Sequence, residues 1–178
     1  LQAHSIEVFG KVLSPDTYPI AKTTLTLEHI RSYPHLECFS ATKSAIYGVR
    51  SLLMEGIEQF FKKEDFTKTD MPLITFSECE GGCQPMQVTL FMTSGETKDI
   101  PHIGGKVDFS KDFFGKKASL TVSSQLELET HLPLGKVWTI TRAVRGEPSA
   151  TSRHLCEFSM IELEMPFIDS ARSEEHMS

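Results

Sequence analysis

The sequence predicts an α+β domain built on an antiparallel sheet, and three observations carry that expectation. Residues 42–63 repeat their apolar positions at helical spacing for about six turns. Most of the chain after residue 63 reads as short strands broken by turn residues. The two kinds of element are segregated along the chain rather than alternating, which fits α+β architecture better than repeated βαβ units.

Taken in order, "IEVFGKVL" (6–13) reads as a strand with Ile6, Val8 and Val12 on its apolar side. Nothing before it offers a pairing partner, so it is expected to close a domain lying upstream. "SPDTYP" (14–19) is turn-rich and opens a linker expected over 14–41. The helix over 42–63 aligns Ala45, Ile46, Val49, Leu52, Leu53, Ile57, Phe60 and Phe61 on one face. Ser40 or Thr42 suits its N-cap, and Lys62 and Lys63 suit its C-terminal dipole. Such a stripe serves either a core or a subunit contact, and both readings stay open. "DFTKTDMPLITF" (65–76) turns into a strand that Pro72 confines to an edge or a strand start. "SECEGGCQP" (77–85) reads as a loop, because paired glycines and a proline do not fit a regular element. "MQVTLFM" (86–92) is strand-like, and the polar, glycine-bearing run 93–112 reads as a long surface insertion. Strands are expected at 118–123 and 136–144, with "SQLELETHLPLG" between them a helix that starts on a serine and ends near Pro133 and Gly135. A last strand, 157–167, alternates Phe158, Met160 and then Leu163 and Met165.

With 178 residues, 39% hydrophobic and 24% charged, the chain has the make-up of about one globular domain. Its formal net charge of −6 gives no general attraction to nucleic acid, so any such contact must be local. The four cysteines, Cys38, Cys79, Cys83 and Cys156, lack paired spacing, which favours a reducing compartment over a disulfide framework. Cys79 and Cys83 with His102 lack the second close ligand pair of a zinc site, and no metal ligand is assigned. No apolar run reaches the length of a membrane span, so no membrane partner is expected. The G-x-G-x-x-G, P-loop and G-x-S-x-G patterns are all missing, which sets aside Rossmann, P-loop and nucleophile-elbow chemistry.

The charged run "RGEPSATSRHLCEF" (145–158) connects the strands 136–144 and 157–167. Arg145 and Phe158 would face one another across that pair, and an arginine fork beside an aromatic ring is what a nucleotide needs. His154 could add charge at a terminal phosphate, and Glu147 could accept from an adenine amino group. A salt-bridged, solvated hairpin is the ordinary alternative for such a cluster. Glu80 and Gln125 have similar plain alternatives, as a loop carboxylate and a helix N-terminal residue.

Order and combination favour the nucleotide reading. "RGEPSATSRHLCEFSMIELEMPF" (145–167) resembles motif 2 of the class II aminoacyl-tRNA synthetases of the aspartate/asparagine subgroup, the asparaginyl members most closely. "DFFGKKASLTVSSQLELE" (112–129) resembles the family segment before motif 2. The helix 42–63 with "FTKTDMPLIT" resembles motif 1, Pro72 matching its proline, and "SECEGG" falls at the family's Glu-Gly loop. The resemblance runs from about residue 6 to near the end of the chain.

It implies an antiparallel sheet flanked by helices and the joining of asparagine to its tRNA through an asparaginyl-adenylate. By match, Arg145 is the catalytic residue and holds the α-phosphate of ATP; Glu147, His154, Leu155 and Phe158 complete the ATP set; Glu80 and Gln125 bind the amino acid. Aspartyl relatives carry a lysine where Leu128 stands, which favours asparagine, since a substrate carboxylate would go unpaired. The resemblance also implies Mg²⁺, with ligands expected beyond this chain, a homodimer through motif 1, and a cytoplasmic setting, an organellar one staying open. A remnant of the anticodon-binding barrel is expected at 1–13, a linker at 14–41 and a partial catalytic domain, incomplete at its C-terminus, at 42–178. A non-catalytic relative acting as an interaction module and an aspartyl enzyme are the alternatives. Two stretches depart from the family: "TRAV" (141–144) replaces Gly-Pro-Thr-Phe, adding Arg142, and in "HLE" (35–37) Glu37 stands where an arginine is expected.

Overall fold

The computed structural model describes residues 2–20, 25–77, 84–91, 100–146, 148, 151 and 153–168. They divide into two units, the boundary falling between Glu58 and Gln59.

In the first unit the strand expected at 6–13 does not form, and Ile6, Phe9 and Leu13 stand exposed. Extended backbone becomes a strand only where a neighbour completes its ladder, and no described strand pairs with this segment. The stretch 14–41 carries structure of its own. Pro15–Thr17 makes a 3₁₀ turn, and helix α1 spans Leu27–Arg31. Thr26 caps α1 by accepting from the His29 amide at 3.2 Å, the His29 ring bonds the Pro19 carbonyl at 2.7 Å, and Ile30 is buried. A second 3₁₀ turn, Glu37–Phe39, leads into helix α2, Ala41–Lys63, one residue longer than expected at its start. Ser40 is the cap: its hydroxyl accepts from the Lys43 amide at 3.2 Å and its carbonyl from the Ser44 amide at 3.0 Å. Glu37 accepts from the Tyr47 hydroxyl at 2.8 Å and pairs with Lys43 at 3.0 Å. The Lys43 and Tyr47 bonds hold its carboxyl below the usual range. Among the described residues the apolar stripe of α2 stays uncovered: Ile46, Val49, Leu52, Leu53 and Phe60 are exposed, and Phe61 is the buried residue of the helix.

The second unit is built on β-structure. Strand β1 (Thr67–Lys68) is followed by β2 (Ile74–Thr75), and Pro72 lies between them, where its missing N–H costs no ladder bond. Strand β3 (Gln87–Val88) is far shorter than the expected 86–92. The run read as a plain insertion holds a hairpin, β4 (His102–Ile103) and β5 (Lys106–Val107). Its turn is Gly104 (φ +59°) and Gly105 (φ +80°), a left-handed pair that glycine adopts without strain. Strand β6 spans Ala118–Leu120, helix α3 Gln125–Glu129, β7 Val137–Val144 and β8 Glu157–Glu164. α3 is shorter than the helix expected; Pro133 sits in a separate 3₁₀ turn, Leu132–Leu134, and Gly135 closes it at φ +95°.

Strand β6 lies between β2 and β3, antiparallel to both. Strand β7 lies between β8, antiparallel, and β1, which is parallel and the exception to the antiparallel expectation. The two sheets join where the Val144 amide donates to the Thr121 carbonyl at 2.8 Å, while the Thr121 amide donates to Leu73 at 2.8 Å. Trp138 and Leu128 are the largest fully buried side chains. The Phe61 ring stacks on Trp138 at 4.3 Å and 20°, and Phe66 meets Phe61 edge-on at 5.2 Å. Among the described residues no helix is long and apolar enough to cross a membrane.

Candidate active site

Strand alternation sorts the β7–β8 hairpin into two faces. Ala143 lies opposite Phe158, Thr141 opposite Met160, Thr139 opposite Glu162 and Val137 opposite Glu164, so these share one face. Arg145, one residue past β7, has the same parity. Trp138, Ile140 and Arg142 belong to the other face.

The Arg145 amide donates to the Cys156 carbonyl at 2.9 Å, extending the ladder beyond β7. Its side chain folds inward: Nε donates to the Val122 carbonyl at 3.2 Å, and Cζ lies 5.3 Å from the centroid of Phe158. The first bond fixes the plane of the guanidinium, so bidentate recognition of a phosphate falls to its terminal nitrogens. The second contact is a cation–π pairing with the ring expected to stack on adenine. The structure thus brings together the two residues that the sequence places opposite one another.

His154 and Leu155 lie in the connection between the strands. The His154 amide donates to the Thr151 carbonyl at 3.3 Å, its ring bonds the Thr151 hydroxyl, and both His154 and Leu155 are exposed. Glu147 and Glu80 lie outside the described residues. The chain leaves the described residues after Ser77 and re-enters at Gln84, whose carbonyl accepts from the Gly146 amide at 3.0 Å. A Cβ at Gly146 would meet that carbonyl at 3.1 Å, so glycine is what allows the approach beside Arg145.

Gln125 is the first residue of α3, exposed, with its amide nitrogen donating to Glu129 at 3.2 Å. What holds this end of α3 is Glu162, a residue that no sequence motif singles out. Both of its carboxylate oxygens accept from the Ser124 amide at 3.0 Å, and one accepts from the Ser123 hydroxyl. Glu162 therefore ties the face that carries Phe158 to the helix start that carries Gln125. The one signal for it in the sequence is the alternation 158, 160, 162, 164, which puts two carboxylates on the Phe158 face. The second of these, Glu164, has its carboxyl pushed up by burial, and further by the nearby charges of Glu129 and Glu162.

Leu128 is fully buried against β7 and β8, so the position at which the family resemblance implies a lysine for aspartyl members is apolar here. Arg142 lies on the opposite face and pairs with Glu157 at 3.6 Å, both exposed, a contact worth at most about 1 kcal/mol. Its addition to the "TRAV" stretch places it away from Arg145 and Phe158. Among the described residues no three His, Cys, Asp or Glu side chains are grouped to hold a metal ion.

The model of the family described as tRNA synthetases class II (D, K and N) matches residues 26–177, a span that takes in α1 as well as every later element. An asparagine--tRNA ligase of Shewanella baltica is 43% identical over 169 residues, covering 94% of this chain and 35% of that protein. One from Legionella pneumophila is also 43% identical over 169 residues, with the same shares. Among solved structures, asparaginyl-tRNA synthetase from Pyrococcus horikoshii complexed with asparaginyl-adenylate aligns with a TM-score of 0.71 at 27% identity, covering 96% of this chain and 34% of its own. The chain thus spans about a third of the length of these relatives. With the family match over most of its length and the β7–β8 hairpin presenting Arg145 to Phe158, the chain belongs to the class II tRNA synthetases of the D, K and N group.

Proposed function

We propose that the whole protein attaches asparagine to its tRNA through an asparaginyl-adenylate, and that this chain supplies the ATP-gripping part of the catalytic domain. The observation that carries the reading is the anchored pair Arg145 and Phe158, with Nε held by Val122 and the guanidinium over the ring. In the first step the asparagine carboxylate forms a bond to the α-phosphorus and pyrophosphate leaves. In the second, the terminal hydroxyl of the tRNA attacks the activated carbonyl and AMP leaves. The substrates supply both nucleophiles, so the protein contributes position and charge. Arg145 neutralises the charge that grows on the α-phosphate oxygens, and Phe158 fixes the adenine. In this reading His154, exposed in the hairpin connection, meets the outer phosphates, and Gln125 on α3 orients the amino acid.

Two observations favour asparagine over aspartate: the buried, apolar Leu128 and the names of the relatives above. The Mg²⁺ that the family resemblance implies finds no three-ligand cluster among the described residues, so no step is assigned to it through this chain. The homodimer reading is supported by the exposed apolar stripe of α2. The test is pyrophosphate exchange by the full-length protein. Exchange should depend on asparagine and not on aspartate, and Arg145→Ala should lower it by about 10²–10³-fold, the range for losing one donor to developing charge. Undiminished exchange in the variant would remove Arg145 from the reaction.

A further inference from the structure

Away from the nucleotide hairpin, the start of β6 presents a second aromatic and basic surface. Phe76, next to β2, and Phe113 are 47% and 73% exposed. Phe114 joins them, meeting Phe76 edge-on at 5.7 Å and Phe113 edge-on at 4.9 Å. Lys116 Nζ stands 3.8 Å from the centroid of Phe76. The stretch 106–117 carries Lys106, Lys111, Lys116 and Lys117 against Asp108 and Asp112, a positive stretch in a chain of net charge −6. Both aspartates are turned to local work. Asp108 accepts from the Ser110 amide at 3.1 Å, while the buried Asp112 accepts from the Leu90 amide at 3.1 Å and the Phe113 amide at 2.8 Å. The Asp112 carboxyl is held below its usual range by Thr89 and by those amides, against the effect of burial. Phe113 is thereby presented from a fixed backbone.

We infer that Phe76, Phe113, Phe114 and Lys116 form a platform for an unpaired strand of RNA. Phe113 offers an exposed ring on which any base can stack, and Lys116, held over Phe76, is a cation beside it to meet a phosphate, the combination by which proteins hold single strands. Charge complementarity selects this occupant: a purely apolar partner would gain nothing from Lys116 and the positive stretch that carries it, and an acidic peptide would leave the exposed Phe113 ring unused. The platform is also placed for the reaction. The chain passes from it through β6 (Ala118–Leu120) to Val122, the residue that anchors Arg145. Lys116 and Val122 are six residues apart, at most about 20 Å of extended chain. An RNA end delivered to an adenylate held by Arg145 passes within a few nucleotides of these rings. The inference rests on the proposed function for its choice of RNA.

The test uses the full-length protein with Phe113→Ala, Lys116→Ala and the double variant, and Phe113→Tyr and Lys116→Arg as conservative controls. The readouts are asparagine-dependent pyrophosphate exchange without tRNA, the KM for tRNA in charging, and anisotropy of a labelled single-stranded RNA oligonucleotide over a salt series. The platform predicts unchanged exchange, a KM for tRNA raised about fivefold or more by Phe113→Ala, and a salt slope reduced by about one in Lys116→Ala. The controls should stay near the wild type. Equal RNA affinity in wild type and double variant overturns the inference. So does a parallel loss of exchange and RNA binding, which would mean that the rings only support the fold or are covered by the rest of the protein. Should the wild type bind the oligonucleotide through these residues yet show no asparagine-dependent exchange, the platform stands and the proposed function falls.

Discussion

Arg145 and Phe158 are legible in the sequence because both belong to one stretch, at the ends of two strands whose pairing the alternation implies. Glu162 is not, because the partners that give it a role, Ser123 and Ser124, lie on another element far along the chain. Its neighbour Glu164 carries a consequence for pH. A carboxyl raised above its ordinary value binds a proton in the folded state that the unfolded chain has already released. Stability therefore falls as pH climbs from the usual carboxylate value, 4.5, through the raised one, and the cost is full above it. Glu164→Gln should raise the melting temperature at pH 7 by one or two degrees, equivalent to about 0.5 kcal/mol at a partly exposed site. The gain should shrink as the pH approaches that ordinary value. Calorimetry across that range checks it, and a lower melting temperature at pH 7 would mean that the charge is balanced by a cation.

Among the elements, α2 is the most readable, since a long stretch at one period leaves little choice of structure. Its start depends on Ser40, and Ser40→Ala should cost about 1 kcal/mol, read as a lower urea midpoint with an unchanged slope. The neighbouring Glu37 bonds add support that is present above the ordinary carboxylate value and lost as pH falls through the depressed one. The short strands are opaque for a physical reason. Two residues, as in β1, β2 and β3, cannot show a period of two, and their existence depends on what lies beside them. The segment 6–13 is the converse: a good strand pattern with no described neighbour to pair with. The β4–β5 hairpin does have a local signal, adjacent glycines between two apolar-polar pairs, which the polarity of the surrounding run obscures.

For the whole molecule, the stripe on α2 is apolar surface that the described residues leave exposed. Ile46, Val49, Leu52, Leu53 and Phe60 form a contiguous helical face, unlike the scattered apolar residues of an ordinary surface. If that face joins two copies, Leu52→Glu with Leu53→Glu should turn the full-length dimer into a monomer, read directly by sedimentation velocity. A dimer that survives both changes places the contact elsewhere. At the end of the same helix, Phe61 lies flat on Trp138, on the side of β7 that faces away from Arg145 and Phe158. Trp138 is the only indole in the chain. Its emission is therefore a built-in optical gauge of how the last turn of α2 seats on the sheet, and it stands one strand's thickness from the face that carries Arg145 and Phe158. Light from a single residue can separate what happens on one side of this wall from what happens on the other.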